Sequence, residues 1–266
     1  TASCTSYDQI SKIKMKYLEF TDVEIHELKS EIIGETFEIL VKQPDPQILS
    51  LFGNKPLPVV YGTDANLSAG GYINTLEGLL LGGEIPPVLF IGIRYKLGDE
   101  PDFMQFVTSR TREFTPTEDA ENQKLMEQMT LREVKGGGAE NFLKFLTTEL
   151  RDWVSERFNV SDDTTYIGDS MGGLFGLYTL FTEPRAFKRY VIGSPWQEWN
   201  YPTTFELEES YAENNNDMEA IVYMASGAEE HIIGPHLEKM NPVMVEIFSK
   251  AKTAEYTVQM LSLIHI

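Results

Sequence analysis

Residues 166–176 read YIGDSMGGLFG, and the organisation of the chain turns on whether Ser170 stands at a bend between a strand and a helix. Tyr166 and Ile167 close an apolar run of strand character, and Gly172 opens a helical one. Small residues at 168, 172, 173 and 176 would let a tight reversal and a helix lie close to neighbouring strands. On such a bend the serine hydroxyl is exposed at the carboxyl edge of a sheet. The N–H groups after it point toward it and can hold a negative oxygen. The G-x-S-x-G spacing alone carries little weight, since glycine and serine near 7% each give roughly 0.1 chance occurrence in a chain this long. The strand before it and the helix after it are what make it informative.

Outward from this stretch, eight runs rich in β-branched residues are bounded by turn formers: YLEFTDVEIHEL (17–28), ETFEILVK (35–42), LPVVY (57–61), VLFIGI (88–93), TTYIG (164–168), RYVIG (189–193), AIVYMAS (220–226) and EYTVQM (255–260). The first two predict a hairpin closed around Ile33 and Gly34. VLFIGI is apolar throughout, as a strand covered on both faces would be. Helical patterns lie between the later strands. In AENFLKFLTTELRDWVSERF, Phe142, Leu146, Leu150, Trp153 and Val154 form one stripe. GLFGLYTLF and PHLEKMNPVMVEIFSKA predict two more helices, the second interrupted at Pro242. Strands alternating with helices predict an α/β fold with a mostly parallel sheet covered on both faces, in one domain over 1–266. Residues 97–138 are polar and glycine-rich, and are expected to form a loop-rich insertion near the site.

Composition narrows the partners. With 22 basic and 41 acidic residues the chain carries a net charge of −19, which repels nucleic acid and anionic membrane surfaces. No window reaches the apolar length needed to cross a bilayer, so a soluble protein without membrane insertion is expected, with cytoplasm and periplasm equally open. One cysteine, Cys4, excludes an internal disulfide. Beginning at Thr1 rather than Met, the chain reads as a fragment or processed product. The sequence leaves the oligomeric state open. No cluster has metal-ligand spacing, because His231 and His236 flank Ile232 and Ile233 without a third partner, and the chemistry below needs no cofactor.

Ser170 follows the fifth of eight predicted strands, where an α/β-hydrolase fold carries its nucleophile. In that fold the acid follows the seventh strand and the histidine base the eighth. Met171 N–H is the first expected oxyanion donor, and the second comes from the loop after the third strand at Gly62, Thr63 and Asp64. After the seventh strand stand Glu229 and Glu230, which compete for the acid. Of four histidines, His26 lies in the first strand, and His231 and His236 precede the eighth. Only His265 is in order. Its surroundings, LSLIHI, lack a turn former and continue the strand. They are also what CTG TCT CTT ATA CAC ATC encodes, a transposon end used in preparing sequencing libraries. Two readings therefore stay open: His265 is the base, or residues 261–266 are non-native and His265 stands in the base's place by coincidence.

From VVYGTDAN onward, through IPPVLFIGIRY, SRTREFTPT, GGGAENFLKFLTTEL, IGDSMGGLFGLYTLF and GSPWQEWN, the chain resembles the esterase family of α/β-hydrolases that includes enterochelin and other siderophore esterases, S-formylglutathione hydrolase and mycolyltransferases. The siderophore-esterase branch looks nearest. The resemblance implies a serine esterase acting through an acyl-enzyme on Ser170, with oxyanion donors at Met171 and near Thr63 and Asp64. It also implies a small-molecule ester substrate in a cleft walled near Arg110, Arg112, Trp196 and Trp199. It favours Glu230 as the acid by its offset from Gly227, although some siderophore esterases work with serine and histidine alone. The G-E-x-H-like segment usual after the last strand is replaced here by LSLIHI. Arg94, Lys96, Arg110 and Arg112 can be read as contacts for an acidic ester or as ordinary ion pairs, and the tryptophans as a flat wall or as core. An acyltransferase on the same fold and a binding module without its base remain the alternatives.

Overall fold

The computed structural model describes residues 22–97, 102–227 and the backbone of 255–261. Strands β1 (Glu24–Lys29), β2 (Thr36–Lys42), β3 (Leu57–Gly62), β4 (Leu89–Tyr95), β5 (Val160–Asp169), β6 (Arg189–Gly193) and β7 (Ile221–Gly227) lie in the order β1-β2-β4-β3-β5-β6-β7. β1 and β2 form the expected hairpin, and β2 runs antiparallel to β4. Every pairing from β4 through β7 is parallel. Beyond β7, the backbone of β8 (Glu255–Leu261) continues the parallel set, with Ile221 opposite Glu255 and Gly227 opposite Leu261. Because β2 pairs Phe37 with Tyr95, the hairpin turn stands at the carboxyl edge of the parallel strands, the edge that also carries Ser170.

Alternation along the strands sends residues to two faces, as the pleat requires. Leu57, Val59 and Tyr61 join the large core, while Val60 packs with Ile73 and Phe90 on the opposite face. Helix α1 (Pro46–Leu51) is short. α2 (Ala65–Leu81) covers the smaller face. The larger face is covered by α3 (Phe103–Phe114), α5 (Ala139–Phe145), α6 (Arg151–Arg157) and α7 (Met171–Thr182). α5 and α6 are one stretch of helix joined by a π-turn at Leu146–Leu150. Phe142, Leu146, Leu150 and Val154 of the stripe are fully or nearly fully buried. Within that turn Glu149 accepts from Ser30 Oγ (2.6 Å) and Glu31 N–H (2.9 Å), which fastens the hairpin turn to the helix layer.

The described residues of 97–138 are not the expected loop-rich insertion. They carry α3 and α4 (Ala120–Thr130), each opened by an aspartate whose side chain accepts first-turn N–H groups, Asp102 from Gln105 and Asp119 from Glu121 and Asn122. Phe106 and Phe114 of α3 are buried in the main core. Helix α8 (Thr203–Asn214) follows the loop after β6.

Candidate active site

β5 ends at Asp169, and α7 begins at Met171. Between them Ser170 has φ 59° and ψ −116°, a conformation that costs a residue bearing a Cβ about 1–3 kcal/mol. Hydrogen bonds hold it there. Ser170 N–H donates to Gly193 O (2.9 Å), while Ser170 O accepts from Trp196 N–H and Leu174 N–H, both at 3.0 Å. The side chain remains partly exposed at the sheet edge.

The flanking glycines are required by close approach. A methyl group on Gly168 would sit 2.5 Å from Gly172 O and collide with Tyr166 OH. One on Gly172 would sit 2.7 Å from Thr63 Oγ1. Tyr166 is buried under the bend and donates to Gly172 O at 2.6 Å, and burial raises its phenol pKa well above the ordinary 10.0. The loop after β3 therefore lies against the first turn of α7, as an oxyanion site requires.

Within that loop the two expected donors differ. Thr63 N–H donates to Ile167 O (3.1 Å), the continuation of the β3–β5 ladder, so it is not available to an oxyanion. Asp64 N–H is the next along. Asp64 precedes α2 in the left-handed conformation (φ 54°, ψ 31°), yet its carboxylate makes no capping bond to that helix. It is gripped by Arg110, with Nε to Oδ1 at 2.9 Å and Nη2 to Oδ2 at 2.6 Å. The pair is nearly sealed from water, with side chains 13% and 8% exposed. Burial raises the Asp64 pKa and Arg110 lowers it, the net being upward. For Arg110, burial works downward, but Asp64 carries the guanidinium above its ordinary value and keeps it charged.

The expected substrate contacts are largely spent on the protein itself. Arg110 serves Asp64. Arg112 binds Glu113 (Nε to Oε1, 2.7 Å) and Glu35 (Nη1 to Oε1, 3.1 Å). Arg94 pairs with Glu38, and Lys96 with Glu27. All four basic residues are thus ion-paired within the protein, and the Arg94 and Arg110 pairs are largely buried rather than ordinary surface pairs. Trp199 is fully buried and donates Nε1–H to Thr117 O at 2.8 Å, so it is core rather than cleft wall. Trp196 is half-buried beside the bend, edge-on to Trp199 with ring centroids 5.9 Å apart. The loop carrying both is tied to the start of α4, where Asn122 Nδ2 donates to Glu198 O (3.0 Å) and Asn200 N–H donates to Asp119 Oδ2.

Glu229, Glu230, His231, His236 and His265 lie outside the described residues. A cleft of about 680 Å³ lined by Val23, Ile48, Ile73, Leu76, Val88 and Phe90 sits at the amino edge of the parallel strands, away from Ser170. Sequence reading missed Glu113. It is buried, Arg112 binds one of its oxygens, and Oε2 has no hydrogen-bond partner among the described residues. Burial raises its pKa to about 7 against the pull of Arg112.

Residues 30–257 match the family described as "Putative esterase". The chain belongs to that family. It is 30% identical over 240 residues to ferri-bacillibactin esterase BesA of Bacillus subtilis, spanning 85% of this chain and 76% of that protein. It is 29% identical over 175 residues to a siderophore triacetylfusarinine C esterase of Aspergillus fumigatus, spanning 63% and 53% respectively. In fold it is similar to the BES protein of Bacillus cereus (TM-score 0.73, 22% identity, 94% of this chain and 91% of that one). It is also similar to an IroE-like serine hydrolase of Shewanella oneidensis (TM-score 0.74, 21% identity, 90% and 73%). The chain is thus a serine-type ester hydrolase of α/β-hydrolase fold. Among the described residues no helix is long and apolar enough to cross a membrane.

Proposed function

We propose that Ser170 is the nucleophile of this esterase, and that its substrate is the ester backbone of a siderophore. The observation that carries the first part is the strained bend: Ser170 at positive φ, pinned at both backbone groups and partly exposed beside the Asp64 loop. A histidine after β8 takes the Ser170 proton as the hydroxyl attacks the ester carbonyl; His265 holds that place in chain order, and Glu230 holds the acid's. Met171 N–H and Asp64 N–H hold the oxyanion. The alkoxide leaves with the proton from the histidine, and water then releases the acid from the acyl-enzyme. Residues 1–266 act as one catalytic unit on a sheet of eight strands, a reading supported by the pairing of β8 with β7.

The siderophore assignment rests on the names of the relatives, a ferri-bacillibactin esterase and a triacetylfusarinine C esterase. The test is hydrolysis of a short aryl ester and a cyclic trilactone by wild type and Ser170→Ala, with a fluorophosphonate probe on both. Wild type is expected to label and turn over. Ser170→Ala is expected to do neither, with rates down by about 10⁴-fold or more. Equal hydrolysis by both proteins would overturn the nucleophile. Turnover of the aryl ester without the trilactone would overturn the substrate alone.

A further inference from the structure

Arg110 lies on the apolar stripe of α3, between two aromatic rings. Its guanidinium carbon is 5.6 Å from the Phe106 centroid and 5.5 Å from that of Phe114. A cation in such a place needs a partner that justifies losing water. The partner is Asp64, whose own N–H is the candidate oxyanion donor, and both of its carboxylate oxygens are engaged. Nη2 also lies 3.5 Å from the carbonyl of Asp169, the residue before the nucleophile. One turn of α3 thus touches both segments that flank Ser170. The adjacent residue reaches the other donor, since Thr111 Oγ1 lies 3.6 Å from Met171 Sδ.

An aspartate at a helix start ordinarily accepts N–H groups of its own first turn. Asp64 does not. Its carboxylate is drawn toward α3 instead, and it holds a left-handed backbone conformation that is uncommon for a residue with a Cβ. The direction of the Asp64 N–H therefore depends on where Arg110 holds the side chain. We infer that Arg110 is a positioning residue for the oxyanion site: its fork fixes Asp64, and through it the second N–H donor, at the distance from Ser170 that the tetrahedral intermediate requires. Arg110 touches neither substrate nor reacting atoms. This rests on Ser170 being the nucleophile.

Removing Arg110 outright would leave a buried carboxylate unpaired, so the test uses Arg110→Lys and Asp64→Asn in the full chain, together with the double variant. Lysine keeps the charge but cannot bind two oxygens in a plane, and asparagine keeps the volume but not the ion pair. Steady-state kinetics are measured on two aryl esters, one neutral and one bearing a free carboxylate, and thermal melting is followed in parallel. Each single variant is expected to lose about 10²-fold in kcat on both esters, with KM within a few-fold of wild type. The double variant is expected to be no slower than the slower single one, because both break the same device. Fluorophosphonate labelling of Ser170 is expected to slow by a similar factor yet still reach completion.

A rise in KM confined to the anionic ester would make Arg110 a substrate ligand and overturn the inference. Wild-type kcat in both single variants would overturn it as well. So would additive losses in the double variant. If Arg110→Lys fails to fold, Asp64→Asn decides alone through its kcat on the neutral ester. Failure of the nucleophile reading looks different, because wild type itself would then not label at Ser170.

Discussion

Gly168→Ala is the perturbation that tests the bend most directly, because the site of the added methyl is known. It would stand 2.5 Å from Gly172 O, and a carbon and a carbonyl oxygen rest at about 3.3–3.6 Å in their closest favourable contacts. The first turn of α7 must therefore retreat by most of an ångström. Overpacking of this kind costs about 1–3 kcal/mol. The retreat also weakens the 2.6 Å hydrogen bond from Tyr166 OH to Gly172 O, which adds about 1 kcal/mol. The expected loss is thus about 2–4 kcal/mol, a fall of about 5–15 °C in Tm for a chain of this size. Urea denaturation followed by fluorescence of the three tryptophans measures it. Because Met171 N–H moves with that turn, kcat on a neutral aryl ester is expected to fall about 10²-fold. Gly71→Ala is the control. That glycine is exposed in α2 with nothing within 4 Å of the added carbon, so the same change should stabilise by about 0.5–1 kcal/mol with unchanged kcat. If Gly168→Ala unfolds at the wild-type urea concentration and turns over at the wild-type rate, the tight reversal described for residues 168–172 is wrong.

Two further expectations concern residues around the site. Glu113 has its folded pKa raised from 4.5 to about 7 by burial, so between those values the native state binds more protons than the unfolded chain. Stability should therefore fall as pH rises from about 4.5 to about 7, by about 3 kcal/mol for this group, and stay level above. Chemical denaturation of wild type and Glu113→Gln across that range isolates it, since the stability difference between them should move by that amount and a constant difference would refute the assignment. Trp199→Phe should cost about 1–3 kcal/mol by orphaning the Thr117 carbonyl, while KM for an aryl ester stays near wild type. Trp196→Ala should raise KM, and the reverse pattern would place Trp199 in the cleft after all.

The strands and the bend were legible in the sequence because their signals are local. Turn formers bracket each β-branched run, and the small residues of GDSMGG sit within one turn of each other. Helix α3 was hidden by a single residue. Phe103, Phe106, Val107 and Phe114 keep helical spacing, but Arg110 occupies the stripe between them and turns an apolar face into an apparently polar segment. Its charge is acceptable there only because of Asp64, 46 residues earlier in the chain, and no window of sequence contains both. The engagement of Thr63 N–H is non-local in the same way, since it depends on how far the β3–β5 ladder extends. Trp199 has the composition of a cleft wall, but a glycine at 136 opens the space that lets it sink into the core; a methyl there would lie 2.6 Å from the indole.

The loop from Gly193 to Trp196 has a consequence for anyone reshaping this enzyme toward new esters. It supplies the acceptor for Ser170 N–H and a donor to Ser170 O, and it also carries the indole nearest the reaction. Pocket volume and nucleophile aim are thus written in the same four residues. Selectivity engineered there comes with slower turnover.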